Sequence, residues 1–364
     1  MKRVIISGGG TGGHIFPALS IAGEIQRRYP ECEILFVGAE GRMEAERVPA
    51  AGYPIRLLPV QGLQRGGGVL SKIRTLRHLL RSVEIARDYL ADFRPEVVVG
   101  VGGYASAPTL IAASRSGIPI LVQEQNSYAG KTNRLVGRRA ATVCVAYPDM
   151  ERYFKKAKKI VLTGNPVRAA LTTTVRHDLD AYTALGLDPD KKTILILGGS
   201  LGARSINESV IHGLNQLAED TGVQIIWQCG KAYYEEARQI SLPDNIRLYD
   251  FVSRMDLAYS TADLVVSRAG AGSISELTLL GMPTILVPSP NVAEDHQTKN
   301  AQALASRGAA LIIKDSDARE QLIPTALALV RDDERLTVMA QKAHEMALPD
   351  SAARIVDELE LLVP

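Results

Sequence analysis

Four times along this chain a short apolar run ends in a cluster of glycines. Residues 4–7 lead into Gly8-Gly9-Gly10-Thr11-Gly12-Gly13, and residues 97–101 into Gly100-Val101-Gly102-Gly103. In the second half, 193–197 lead into Gly198-Gly199-Ser200-Leu201-Gly202, and 264–267 into Ala269-Gly270-Ala271-Gly272-Ser273. The runs are apolar on both faces and partly β-branched, as strands buried in a parallel sheet must be. Glycines directly behind them fit a tight turn into a helix. Further runs of the same kind stand at 34–37, 118–123, 142–146, 224–228, 246–249 and 284–287. The segments between them are long enough for crossover helices, so the alternation predicts two doubly wound α/β domains. The length of 364 residues agrees, since single cores stop growing near about 250–300 residues. The boundary is expected near Thr163-Gly164-Asn165-Pro166. A polar stretch at 172–180 reads as a linker, and 350–362 as a closing amphipathic helix.

Charge and cysteines narrow the function. The formal net charge is +2, which gives no sign of a bulk polyanion such as nucleic acid as partner. Cys32, Cys144 and Cys229 are odd in number, far apart and without a CxxC pair. This pattern points to a reducing compartment and away from a disulfide framework or a zinc site. No signal peptide or spanning segment is expected, so the body of the protein reads as cytosolic.

A strand that ends in glycines and opens a helix aims bare N–H groups at one point, where the helix dipole adds positive charge; both favour phosphate. The plainer alternative is that glycine only makes the turn tight. Gly8, Gly10 and Gly13 also fit G-x-G-x-x-G, with Glu40 as a ribose-binding acid, which keeps an NAD-type oxidoreductase open. Two features count against it: His14 follows the turn at once, and the second half has glycine turns of its own. Ser273 and Glu276 have the spacing of a capping box; alternatively Glu276 accepts hydrogen bonds from a ribose diol. Arg268 reads either as a ligand to the same site or as a surface cation. Three D-x-D strings, at 178–180, 188–190 and 315–317, fall in loops and are read as solvated surface, so no essential metal is expected.

Six motifs then stand in one order: Gly9-Gly10-Thr11-Gly12-Gly13-His14, Gly102-Gly103-Tyr104-Ala105-Ser106-Ala107-Pro108, Gln123-Glu124-Gln125-Asn126, Gly164-Asn165-Pro166-Val167-Arg168, Gly198-Gly199-Ser200-Leu201-Gly202-Ala203-Arg204 and Ser273-Ile274-Ser275-Glu276. Over nearly its whole length the chain resembles the MurG family of peptidoglycan N-acetylglucosaminyltransferases. The resemblance implies a GT-B fold, two Rossmann-like domains facing across a cleft. It implies an acceptor and membrane domain at 1–163, with a helix at about 345–364 packing back on it, and a UDP-GlcNAc domain at 164–344. The implied reaction is inverting, metal-independent transfer of N-acetylglucosamine from UDP-GlcNAc to the muramoyl 4-hydroxyl of lipid I, giving lipid II in cell-wall biogenesis. No cofactor is implied. A non-catalytic UDP-sugar-binding module and a UDP-GlcNAc epimerase remain as other uses of such a fold.

Residue by residue, the resemblance places Thr11, Gly12 and Gly13 against the donor and Asn126 on the sugar. Arg168 and Ser200 meet the nucleotide and its diphosphate. Ala271, Gly272, Ser273, Ile274, Ser275 and Glu276 cradle phosphate and ribose, with Glu276 on the ribose. Val252 offers backbone groups to the uracil and Gln297 reads the sugar hydroxyls; the residue before it is His296 where the family often has glutamine.

Direct displacement needs a base for the acceptor hydroxyl and stabilisation of the departing diphosphate. His14 has a suitable intrinsic pKa for the base and Glu124 is its rival. Finally, the segment 69–89 carries Val69, Ile73, Leu76, Leu80 and Val83 at helical spacing, with a basic row of Arg74, Arg77 and Arg81. It reads either as a core-facing helix with a solvated basic face or as a helix lying on an anionic membrane. A lipid-linked acceptor favours the second, with the protein peripheral on the cytoplasmic side of the cell membrane.

Overall fold

The computed structural model describes residues 1–60, 69–168, 171–199, 201–292 and 295–363, with backbone alone at 69–76. The chain forms two compact units, Met1–Val167 with Leu348–Pro364, and Arg168–Ala347.

The first unit holds β1 (Arg3–Gly8), β2 (Glu33–Ala39), β3 (Ile55–Leu58), β4 (Val97–Gly102), β5 (Ile120–Glu124), β6 (Thr142–Val145) and β7 (Ile160–Leu162). All pair in parallel, in the order β3-β2-β1-β4-β5-β6-β7. Both faces of the central strands are covered, which is why those strands read as apolar runs. Val4 and Ile6 of β1 pack with Ile21 and Ile25 of the helix Gly12–Arg28 and with Ile355, Val356 and Leu359. Ile5 points the other way, into a cluster with Val98, Leu110 and Leu90. The residues Ile355 to Leu359 belong to the C-terminal helix Ser351–Glu360. Its polar edge is fastened by Arg28 to Asp357 (2.6 Å) and Glu360 (3.0 Å) and by Lys159 to Glu358 (2.6 Å).

The second unit repeats the plan with β8 (Lys192–Leu197), β9 (Val223–Gln228), β10 (Ile246–Tyr249), β11 (Leu264–Ser267), β12 (Thr284–Leu286) and β13 (Ala310–Ile312). Their order is β10-β9-β8-β11-β12-β13, again all parallel. Ile194, Ile196 and Val266 face one helical layer, Leu195, Val265 and Leu286 the other.

In each sheet the chain reverses its direction of winding between two neighbouring strands, β1 with β4 and β8 with β11. Ligands of doubly wound sheets bind outside the carboxyl ends of the strands at such a switch point. The four glycine clusters follow these four strands and no others. The fold therefore gathers a repeated sequence pattern at two switch-point edges.

Three strands lack a counterpart in the sequence reading: β3, β7 and β13. Each is a short edge strand, so one flank is unpaired and the demand for a continuous apolar run is relaxed. The stretch 172–180 is not a loose linker. His177 donates its N–H to the Ser260 carbonyl (2.7 Å), and the Ser260 hydroxyl donates to the Val175 carbonyl (2.5 Å). Among the described residues no helix is long and apolar enough to cross a membrane.

Candidate active site

At the switch point of the first unit the two glycine turns touch. The β1–β4 register shifts between Ser7 and Gly8 so that Gly8 faces Gly102, and the Gly9 N–H donates to the Gly102 carbonyl (3.3 Å). Gly103 sits at φ +82° with no room for a side chain against the Gly9 carbonyl. Gly102, at φ +94°, lies under the ring of His14: a methyl group there would stand 2.9 Å from Cδ2 and 3.0 Å from Nε2. His14 is held on its other side by Thr11, whose Oγ1 is 3.1 Å from Nδ1. Thr11 caps the helix Gly12–Arg28 by backbone conformation only, its hydroxyl meeting the histidine. Thr11 and Gly13 are exposed at this edge, Gly12 and His14 half-buried.

Glu124 ends β5 and is 1% exposed. Its Oε1 accepts from the N–H of Asn126 (3.0 Å) and from Asn126 Nδ2 (3.3 Å), and its Oε2 from the N–H of Gly130 (3.0 Å) and from Asn133 Nδ2 (3.0 Å). Burial pushes its pKa above the usual carboxylate range, and these donors pull it back. A carboxylate so enclosed holds the loop that carries Asn126. The neighbouring glutamines do similar work: Gln123 Nε2 donates to Asn165 Oδ1 (2.9 Å), Asn165 Nδ2 to the Gln125 carbonyl (2.9 Å) and Gln125 Nε2 to the Val101 carbonyl (2.7 Å). The motifs at 123–126 and 164–166 are thus one buried amide network behind the glycine turns.

Glu44, which no local spacing in the sequence marks, also belongs to this edge. It is 1% exposed and accepts from the N–H of Gly10 (2.9 Å) and of Ala39 (3.0 Å). The Gly10 amide, which a dinucleotide fingerprint would offer to pyrophosphate, is bound to the protein's own carboxylate. Glu40, the candidate ribose acid, is exposed. The first turn is therefore not a dinucleotide site, and the oxidoreductase alternative loses its basis.

In the second unit the helix Ala271–Leu279 follows β11. Gly270 is its N-cap in extended conformation, and the first helical bond runs from the Ile274 N–H to the Gly270 carbonyl (2.9 Å). The amides of Ala271, Gly272 and Ser273 are thereby the donors that a helix start leaves without intrahelical partners. Nothing crowds the Gly272 Cα, so an anion can approach the backbone closely. The capping box does not form, because the helix starts before Ser273. The Ser275 hydroxyl donates to the Ala271 carbonyl (3.0 Å). Ile274 points into the core.

Glu276, 8% exposed, accepts from Arg168 Nε (2.9 Å) and from the hydroxyl of Tyr259 (3.1 Å). Burial raises its pKa, and Arg168 and then Tyr259 oppose the shift. Arg268 is not a surface cation: it pairs with Asp315 and donates to the Val287 carbonyl (3.0 Å) and to Ser205 Oγ (3.1 Å). Asp315 is correspondingly not mere solvated surface. Asp178 and Asp188 each accept from the N–H two residues on, at 3.1 and 2.9 Å, and so brace their own turns. The Val252 N–H is already committed to Gln228 Oε1 (2.8 Å), and Gln228 Nε2 donates to the Gly199 carbonyl (3.1 Å). Of the two backbone groups expected to meet a uracil, only the Val252 carbonyl is left for that task. Gln297 Oε1 accepts from the Ser289 N–H (2.9 Å). Ser200, residues 66–68 and Glu294 lie outside the described residues.

Two parallel α/β units, each with paired glycine turns at its switch point and one with a buried carboxylate beside an open helix start, have the architecture of GT-B glycosyltransferases. The chain matches the model of the glycosyltransferase family 28 N-terminal domain at residues 4–145 and that of the C-terminal domain at 193–355. A protein of Parabacteroides distasonis is 53% identical over 99% of this chain and 98% of its own length. One of Phocaeicola vulgatus is 55% identical over 98% and 95%. Both are named UDP-N-acetylglucosamine--N-acetylmuramyl-(pentapeptide) pyrophosphoryl-undecaprenol N-acetylglucosamine transferase. The crystal structure of Acinetobacter baumannii MurG aligns at a TM-score of 0.78 and 33% identity, covering 99% of both chains. The chain belongs to the MurG family of glycosyltransferases.

Proposed function

We propose that the protein transfers N-acetylglucosamine from UDP-GlcNAc, with inversion, to the muramoyl 4-hydroxyl of undecaprenyl-pyrophosphoryl-MurNAc-pentapeptide (lipid I), forming lipid II. What carries this reading is the likeness, at about half identity over nearly the whole chain, to proteins named for that transfer. The geometry supplies chemistry for it. The second unit takes the donor: the amides of Ala271, Gly272 and Ser273 meet the diphosphate, where charge develops as UDP leaves, Arg168 and Ser200 add to that stabilisation, and Glu276 takes the ribose. Fixed donors aimed at developing charge act on the transition state selectively. The first unit takes the acceptor, with His14 as general base, Thr11, Gly12, Gly13 and Asn126 lining the reacting centre, and Glu124 positioning Asn126. The Val252 carbonyl meets the uracil and Gln297 the sugar. No divalent cation enters this scheme. Incubation with UDP-GlcNAc and a lipid I analogue is expected to give the β-linked disaccharide at the same rate with and without EDTA. Release of UDP or epimerised sugar without disaccharide would overturn the proposal.

A lipid-linked acceptor supports a peripheral position, on the cytoplasmic side of the cell membrane in this reading. In the helix Val69–Phe93, Val83, Ala86 and Leu90 enter the core, while Leu80 is 51% exposed between exposed Arg77 and Arg81. An apolar side chain flanked by cations on one helical face suits an anionic bilayer, where each nearby cation contributes about 1 kcal/mol. Binding to phosphatidylglycerol vesicles should weaken with salt and be lost in an R74E/R77E/R81E variant; equal binding by that variant would remove this surface from the scheme.

A further inference from the structure

We infer that Glu44 is an internal anion that fills the phosphate-binding turn of the first unit and thereby sets the position of Thr11 and His14. A glycine turn that opens a helix attracts anions wherever it occurs. In this turn the anion is supplied by the chain itself, from the first residue of the helix Glu44–Ala50. Its Oε2 accepts from the Gly10 N–H (2.9 Å) and its Oε1 from the Ala39 N–H (3.0 Å).

Two glycines are pared back to admit it. A methyl group at Gly9 would overlap the carboxylate, and one at Gly38 would overlap its Cγ. Gly9 also holds φ +154°, a conformation that side chains disfavour. Burying a carboxylate is costly unless its oxygens are hydrogen-bonded, so a residue needed only to fill space would be apolar. Gly10 immediately precedes Thr11, whose hydroxyl meets His14 Nδ1 (3.1 Å). Fixing the Gly10 amide therefore fixes the peptide that carries the histidine's partner. The turn at Gly270 differs: among the described residues no carboxylate accepts from the amides of Ala271, Gly272 or Ser273. An occupied nest in one unit and an open one in the other direct the donor's diphosphate to the second unit.

The catalytic consequence rests on the transferase reading, so the test has two arms. In the first, Glu44→Gln keeps the shape but turns an NH2 toward a backbone N–H. A shift of the turn by about 1 Å is expected to lower kcat about a hundredfold, with KM for UDP-GlcNAc unchanged. Glu44→Ala should lose kcat likewise and regain it in proportion to added sodium formate, while Glu44→Gln should not. In the second arm, which needs no turnover, the Gly10 amide resonance should shift with formate in Glu44→Ala and stay fixed in the native protein. Native kcat in Glu44→Gln, loss of UDP binding together with kcat, or a Gly10 amide in Glu44→Ala indifferent to formate would each overturn the inference. A native chain that forms no disaccharide would fail the transferase reading, and the amide shift would still decide this one.

Discussion

Replacing His14 with alanine should lower kcat by about 10²- to 10⁴-fold, the range of a lost general base, while KM for UDP-GlcNAc changes little. The groups proposed above for the donor's nucleotide and diphosphate lie in the second unit, whereas His14 belongs to the first, so the variant should separate chemistry from nucleotide binding. The ring is pinned on two sides, by Thr11 Oγ1 at Nδ1 and by the bare Cα of Gly102 beneath Cδ2 and Nε2. With the proton on Nδ1, the ring donates to the Thr11 hydroxyl, and Nε2 is then the basic nitrogen of the ring. Steady-state kinetics with a lipid I analogue check this. A kcat near the native value in His14→Ala would remove the histidine from the mechanism. A rise in donor KM at unchanged kcat would make it a binding residue instead.

Glu124 satisfies the same sequence criteria as a base, and its raised pKa would suit the role. Its surroundings assign it elsewhere. Each oxygen already accepts two hydrogen bonds from the loop at 126–133, so taking a proton would forfeit bonds that fix Asn126. A base must reach its proton before its pKa matters.

The parts of the fold legible in the sequence were those under the strictest constraint. Central strands such as β1, β4, β8 and β11 are covered on both faces, so their middle positions are apolar or glycine and the run stands out. The edge strand β3, with Arg56 inside it, needs no such run. The glycine turns were legible for a similar reason, since backbone conformation and close packing at Gly102 and Gly103 admit nothing larger. What the turns bind was less legible. Glu44 meets Gly10 from 34 residues away, and Tyr259 meets Glu276 from 17; neither partner is marked by local spacing. Spacing also misled. Ser273 and Glu276 satisfy S-x-x-E, yet the extended backbone of Gly270 starts the helix earlier and places both residues inside it. Asp315 looked like one member of a solvated pair until the fold set Arg268 and Ser205 against it.

Glu276→Gln is expected to raise KM for UDP-GlcNAc and Kd for UDP by about 10- to 100-fold, the worth of hydrogen bonds to a charged group, with kcat nearly unchanged. The carboxylate is buried and held by Tyr259, so it does not reorganise when a ribose diol arrives. Arg168, its ion-pair partner, is proposed to turn to the diphosphate as the ribose takes its place. Because burial raises the pKa of Glu276, protonation begins at a higher pH than for an exposed glutamate. UDP affinity should accordingly decline as pH falls toward the carboxylate range, and that decline should vanish in Glu276→Gln, which cannot titrate. Removing the Tyr259 hydroxyl in Tyr259→Phe leaves the charge but loosens its orientation, so a smaller loss of affinity with the pH dependence retained is expected. Calorimetric titration of UDP at several pH values distinguishes these results. A Glu276→Gln protein that binds UDP as the native chain does would show that the ribose is held by other groups, and that this ion pair serves only the packing of the second unit.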